Sequence, residues 1–412
     1  MPADTALLAD VYRDLHVHPE LSFQEHRTAA LVADRLTTLG YEVTTGVGRT
    51  GVVGVLRNGE GPTALLRADM DALPVLEKTG LPYASTVRGV DPDGLDVPVM
   101  HACGHDMHVT CLLGAADELA ADRTAWSGNL VLVFQPAEEL GGGAQGMVDD
   151  GLFERFPRPD VVLGQHVGPM PAGLIGLHAG PAFAAADALR ITLHGRGGHG
   201  SRPEAAIDPV VMAAATVMRL QTVVSRDVAA TDPAVVTVGA IRAGTKSNII
   251  PDEAELLLSV RSFDEKVRAS VLASIRRVVE AEAAASGATE PPEIVMNEGF
   301  PVLVNDPAAS ERTRAALAAR FDPAFVVDPG TVTGSEDVGI FGTAAGVPTV
   351  YWILGGADHS HFAGADSVEQ MATLVRDLPA NHSPLFAPVI EPTISTGVAA
   401  LVTAAQAWLP AG

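Results

Sequence analysis

The sequence predicts an α/β protein: a mainly parallel sheet with helices on both faces, interrupted by a smaller inserted α+β module. Three observations predict it. The 412 residues, 47% of them hydrophobic, exceed the length at which one core keeps growing, so two domains are expected. Short apolar runs bounded by turn residues alternate with helical spacing early in the chain and return near its end, the pattern of strands buried between helices. From Asp187 onward the texture changes to apolar–polar alternation, the mark of strands with one solvated face.

Taken in order, Leu7, Leu8, Val11 and Leu15 form one stripe of an opening helix, and a second helix runs from about Thr28 to Leu39, where Gly40 stops it. Apolar runs at Val52–Leu56, Ala64–Leu66, Leu130–Phe134 and Val161–Leu163 read as strands, with a helix from about His108 to Leu119 among them. Leu189, Ile191 and Leu193 then alternate with Arg190, Thr192 and His194, and a glycine-rich turn, GRGGHGSRP, follows. A helix near Asp208–Ser225, strands near Val235–Ile241 and Ala254–Arg261 and a helix near Asp264–Ala285 come next. This order fits a compact α+β module with its helices on one side of an antiparallel sheet. An apolar run at Thr349–Leu354 and a last helix at Thr393–Trp408 resume the first texture. The expected division is therefore a discontinuous α/β domain, residues 1–185 and 299–412, around an inserted domain at 186–298.

Composition excludes several partners. Twenty-seven Lys plus Arg against 50 Asp plus Glu give a formal net charge of −23, a field that repels phosphate backbones and anionic membranes. Neither nucleic acid nor a membrane is an expected partner. The opening stretch MPADTALLADVYRDLHVHPELSFQE mixes charge throughout and lacks the apolar core of a secretory leader. Cys103 and Cys111 are the only cysteines and make no disulfide framework for a chain of this size. The expected location is the cytoplasm.

The chemistry collects where apolar strands end. One runs into Arg67-Ala68-Asp69-Met70-Asp71, a second into Gln135-Pro136-Ala137-Glu138-Glu139, a third into Gly164-Gln165-His166. In open α/β sheets, ligands bind beyond the carboxyl ends of the strands. Between the first two lies MHACGHDMH, and near the end of the chain stands Asn381-His382-Ser383-Pro384. A thiolate with imidazoles and carboxylates suits one or two divalent transition-metal ions such as manganese, zinc, cobalt or nickel, and not calcium or magnesium. A lone histidine is more often structural, so His16, His18, His26, His178 and His194 are given no role, and His101 and His108 fit packing or support better than ligation. The tandem Glu138-Glu139 has two readings. It is either a charged helix start or a pair whose diverging side chains let one bind metal while the other faces a water.

The segments RADMDALP, MHACGHDMH, FQPAEE and NHSP, in this order and spacing, resemble the M20 family of metallopeptidases and aminoacylases, in particular its branch of hippurate hydrolases, N-acyl-L-amino-acid amidohydrolases and auxin-conjugate hydrolases. The resemblance implies metal-dependent hydrolysis of the amide bond of a small N-acyl amino acid. It implies that Cys103, His105, Glu139, His166 and His382 are metal ligands and that Glu138 is the general base. Asp71 matches an aspartate that orients a metal-binding histidine, while Asp69 stands at a ligand position whose duty Cys103 takes over. His199 in the glycine-rich turn resembles a histidine that the lid presents to the neighbouring subunit's site as an oxyanion stabiliser, and Asn248 matches a position near the substrate. A ferredoxin-like lid and a homodimer formed through it are implied in the same way.

The chain departs from the family's pattern at Gln165, at Val338 and over Gly355–His361, all near the expected substrate pocket. Three other readings stay open: a dipeptidase or carboxypeptidase on the same scaffold, a cysteine amidase with Cys103 as nucleophile, and a non-catalytic metal- or ligand-binding protein.

Overall fold

The computed structural model describes residues 4–365 and 367–411. Helices α1 (Thr5–Val17) and α2 (His26–Thr38) precede a hairpin of β1 (Glu42–Val47) and β2 (Gly51–Asn58). Then come β3 (Thr63–Asp69), α3 (His105–Ala121), β4 (Gly128–Gln135), the short α4 (Gly143–Asp149), β5 (Val161–Pro171) and β6 (Ile175–Gly176). The inserted stretch contributes β7 (Ala185–His194), α5 (Pro209–Thr222), β8 (Ala234–Ala243), β9 (Glu253–Ser262), α6 (Glu265–Ala285) and β10 (Glu293–Phe300). Last are α7 (Pro307–Arg320), β11 (Val326–Val327), α8 (Gly339–Ala345), β12 (Thr349–Ala357) and α9 (Thr393–Trp408).

The chain divides into two compact units. The first is Met1–Ala182, Val304–Gly330 and Asp337–Gly412, and the second is Phe183–Leu303 with Thr331–Glu336. The first unit carries an eight-stranded sheet in the order β1-β2-β4-β3-β5-β12-β6-β11. Its four central strands, β4, β3, β5 and β12, run parallel. Ala64, Leu66, Leu132, Leu163, Trp352 and Leu354 pack on one side with apolar residues of α1, α3 and α9. The alternate residues Leu65, Val131, Val133 and Val162 are buried as well, so both faces are covered. That explains why these strands read as unbroken apolar runs.

The second unit is an antiparallel sheet ordered β8-β9-β7-β10. With its two helices this is the β-α-β-β-α-β arrangement of ferredoxin-like modules. Leu189, Ile191 and Leu193 of β7 form a core with Leu256, Leu258 and Val260 of β9, Met212 and Leu220 of α5, and Ile275 and Val279 of α6. The sequence indicated only three of its four strands. Strand β10 is an edge strand that is mostly solvated, and its apolar run, Ile294–Met296, is short. Thr331–Glu336 also belongs to this unit, outside the range expected from sequence. No described helix is long and apolar enough to cross a membrane.

One buried ion cluster ties α1 to the first turn of α3. His16 sits between Asp106 Oδ2 at 2.6 Å and Glu77 Oε1 at 3.1 Å, out of contact with water. Burial lowers the affinity of His16 for a proton, but its bonds to Asp106 and Glu77 outweigh that and lift its pKa to about 10. A folded pKa above the unfolded value of roughly 6.5 means the contribution is complete below pH 6.5 and is lost as pH rises through 10. His16→Gln should therefore destabilise the first unit by about 3–5 kcal/mol at pH 6, with the gap closing towards pH 10. Trp126, Trp352 and Trp408 all lie in this unit, so urea unfolding followed by tryptophan fluorescence reads it. A gap independent of pH would show that His16 is not held as an imidazolium.

Candidate metal centre

Parallel β3, β4 and β5 are neighbours, so their carboxyl ends deliver side chains to one edge of the sheet. Asp69 pairs with Gln135 across β3 and β4, and Arg67 pairs with Gly164, two residues before His166. The turn after β4 then presents Glu138 and Glu139. Helix α3 begins at His105, preceded by Gly104 at φ 84°. A side chain at Gly104 would meet Val167 Cγ1 at 2.4 Å and Phe386 Cε1 at 3.3 Å, so only glycine lets Cys103 and His105 approach the strand ends this closely. His382 arrives on a loop fixed by its amide, which donates to Ala102 O at 2.8 Å.

Asp71 organises the turn. It accepts the Glu138 amide on Oδ1 and the Glu139 amide on Oδ2, both at 3.1 Å, and the Ser22 hydroxyl at 2.6 Å. It also lies 3.3 Å from His105 Nδ1, which leaves His105 Nε2 directed at Glu139 Oε1 at 3.8 Å and Asp69 Oδ2 at 3.6 Å. Asp69 in turn takes Arg67 at 2.6 Å and His108 Nδ1 at 2.5 Å. Arg67 is buried, bonded also to Gln135, Tyr351 and Asp337.

Donor atoms of Cys103, His105 and His166 lie within 4.8 Å of one another, as do those of Cys103, Glu139 and His382, and those of His105, Glu138 and Glu139. The first two groups share Cys103. His166 donates Nδ1–H to Val167 O at 2.9 Å, which frees Nε2, 3.5 Å from Cys103 Sγ. Asp69, His105 and His108 satisfy the same distance test, but both nitrogens of His108 are engaged: Nδ1 donates to Asp69, and Nε2 accepts the Val167 amide at 2.8 Å. His108 is a support. His101 is buried, with no hydrogen-bond partner on either nitrogen.

The electrostatics call for a cation. Burial pushes the Cys103 thiol up, and Glu139, Glu138 and Asp69 add to it. Burial lowers His105, yet Asp69, Asp71 and Glu139 outweigh it and lift the imidazole to about 10. Without a cation, His105 thus holds a proton among four carboxylates, a proton that a bound metal ion would displace. Burial raises both aspartates, but Arg67 with His105 and His108 at Asp69, and His105 with Ser22 at Asp71, outweigh it and hold both below the usual carboxylate range. Burial keeps His166 neutral, at about 4, as a ligand must be. His105 Nδ1 and Nε2 and Glu139 Oε1 are buried without hydrogen-bond partners, which is costly unless something absent from the chain satisfies them. Thiol, imidazole and carboxylate donors with these orphaned atoms fit a divalent transition-metal ion. Exposure grades from buried His105 to exposed His382, so the open side of the centre lies at the His382 loop.

The first unit thus brings together Cys103, His105, Glu138, Glu139, His166, His382 and Asp71. His199 and Asn248 belong to the second unit, where Gly200 donates to Asn248 O at 2.8 Å and Ser201 Oγ lies 2.8 Å from His199 Nδ1. Sequence reasoning missed Arg67, Gln135, Ser22 and Glu25, whose only signal was membership of the quoted segments, and Asp337, which lies outside them. Gln165 points away from His166 and accepts from Trp352 Nε1 at 3.1 Å, and Val338 is fully buried.

The family model for Peptidase family M20/M25/M40 matches residues 65–378. Thermostable carboxypeptidase 1 of Saccharolobus solfataricus is 39% identical over 353 residues, 84% of this chain and 85% of that protein. The hippurate hydrolase of Campylobacter jejuni is 42% identical over 338 residues, 80% of this chain and 84% of that protein. A solved Bacillus subtilis structure, described as a dinuclear metal binding peptidase from the M20 family, matches with a TM-score of 0.74 at 30% identity and covers 97% of each chain.

Zinc or manganese added to chelator-stripped protein should raise its Tm. Cys103→Ser, which weakens the donor common to two groups, and Asp71→Asn, which loosens His105 and the turn, should each lower cation affinity about 10–100-fold in calorimetric titration. Unchanged affinity would remove the substituted residue from the centre.

Proposed function

The chain belongs to peptidase family M20/M25/M40, a family of metal-dependent hydrolases, and we propose that it cleaves the amide bond of small N-acyl amino acids. The observation that carries this reading is the buried Glu138, grouped with His105 and Glu139 but anchored through its own amide to Asp71. Asp71 fixes the main chain of both glutamates, and Glu138 is assigned as the base while Glu139 joins the donor set. The similarity to a hippurate hydrolase, and to an N-acetyl-L-cysteine deacetylase of Bacillus subtilis at 38% identity, supports capped amino acids as the substrate class.

Cys103, His105, Glu139, His166 and His382 would hold one or two divalent ions. When bound, these polarise the scissile carbonyl and acidify a water. Glu138 takes the proton of the attacking water as its oxygen bonds to the carbonyl carbon, then passes it to the departing nitrogen as the C–N bond breaks. The products are the acid and the free amino acid. Asp71 keeps the tandem turn and His105 in place. His199 and Asn248 are assigned to the oxyanion and to substrate binding, by the match of GGHGSRP and TKSNIIPDEAEL to the family pattern. Nucleophilic catalysis by Cys103 is disfavoured, because a thiol pushed up by burial and carboxylates is not an activated one.

A homodimer through the second unit is proposed on Val211 and Met218 of α5 and Val235 and Ile241 of the edge strand β8, which are exposed apolar residues. The two free cysteines suit the cytoplasm. Carboxypeptidase action is the second reading, favoured by the Saccharolobus solfataricus relative.

Both readings are separated by assaying N-acetyl, N-benzoyl and indoleacyl amino acids beside free dipeptides, with metal or chelator. Metal-dependent release from capped substrates, abolished in Glu138→Gln with metal content retained, is the expected outcome. Cleavage of dipeptides alone would select the peptidase reading, and bound metal without turnover of any substrate would indicate a binding protein. Met218→Glu should shift sedimentation from dimer to monomer, and a dimer that persists would move the interface elsewhere.

A further inference from the structure

Glu25 lies in the segment Leu21-Ser22-Phe23-Gln24-Glu25 and is completely buried. Its Oε1 accepts the Phe23 amide and the Ala137 amide, each at 2.9 Å, and its Oε2 accepts the Thr50 hydroxyl. These partners mark a strained place. Among the described residues four non-glycines have left-handed φ: Phe23 at 61°, Arg49 at 85°, Ala137 at 48° and His382 at 72°. Glu25 bonds the amides of two and the hydroxyl of the residue after a third, and Arg49 lies 4.3 Å over the Phe23 ring. Left-handed backbone is unfavourable for residues with a Cβ and persists only where its surroundings impose it.

Ala137 is the residue before Glu138. Three successive amides of this turn, those of Ala137, Glu138 and Glu139, therefore end on two buried carboxylates, Glu25 for the first and Asp71 for the others. Ser22 adds a hydroxyl to Asp71, so one short segment grips the turn on both sides. Burial, and then repulsion from Asp71, pushes Glu25 up to about 7. A carboxyl group is unfavourable there unless its hydrogen bonds compensate.

We propose that Glu25 is a positioning residue of the hydrolytic reaction: by holding Ala137 in its left-handed conformation it sets the diverging directions of the Glu138 and Glu139 carboxylates. The inference rests on the role given above to Glu138. Its test compares the full-length wild type with Glu25→Ala, Glu25→Gln and Thr50→Val, by kcat and KM on the best substrate of the panel and by calorimetric titration of zinc. Glu25→Ala should lower kcat about 10–100-fold and zinc affinity about 10-fold, with little change in KM. Glu25→Gln should restore most of both, because its amide oxygen can accept the two main-chain amides while its NH2 donates to Thr50.

If Glu25→Ala does not fold, Thr50→Val decides: a fall in kcat or zinc affinity of about threefold or more supports the proposal, and wild-type values overturn it. Wild-type values in a folded Glu25→Ala overturn it too, as does a Glu25→Gln protein as impaired as Glu25→Ala. If the wild type cleaves nothing, the reading of the reaction fails, while zinc affinity still judges Glu25 through Glu139.

Discussion

Negative charge removed from water must be compensated where it sits, and the candidate centre is arranged around that constraint. Four carboxylates and a thiol gather at the ends of three parallel strands. Arg67 is the fixed positive charge beneath them, shared between Asp69 and Asp337. Asp69, Asp71 and Glu139 draw His105 into holding a proton that burial alone would remove. The gathered negative charge agrees with the donor types in favouring a divalent cation at this centre.

Hydrogen-bond partners decide which of several similar groups can serve as donors. His108 and His166 are both imidazoles at the same strand edge, 4.6 Å apart between ring centres. The Val167 amide occupies His108 Nε2, while the Val167 carbonyl fixes His166 Nδ1 and leaves its other nitrogen free. The main chain of one residue, Val167, thus makes one ring a support and the other a candidate ligand. Asp69 and Asp71 divide in the same way, the first committed to Arg67 and His108, the second to main-chain amides and to His105.

The motif segments carried more information than any single residue in them. MHACGHDMH supplied His105 and Cys103 to the centre, but it also supplied Asp106, which turns away to the buried His16 cluster, and His101, which is buried with no hydrogen-bond partner. Histidines given no chemical role from sequence are not idle: His16 holds α1 against α3. A residue's type states what it can do, and the partners brought by folding select which of those it does.

The sequence by itself indicated most of the elements and, through its resemblance to the M20 family, the candidate donors. Runs such as Leu130–Phe134 are apolar because both sheet faces are covered, and alternation at Leu189–Leu193 follows from a sheet packed on one side, so period and burial were legible. Cys103, His105, Glu138, Glu139, His166 and His382 were expected from the matching motifs, and their residue types are those that suit metal chemistry. Strand β10 escaped because its apolar run, Ile294–Met296, is short and breaks into Asn297-Glu298-Gly299. The tautomers of His108 and His166, the shared Arg67 and the grip of Glu25 on Ala137 were decided by the tertiary structure alone. Apart from the bond of His166 to the next residue's carbonyl, these are contacts between positions distant in the chain, and no local pattern of residues encodes which buried group will meet which.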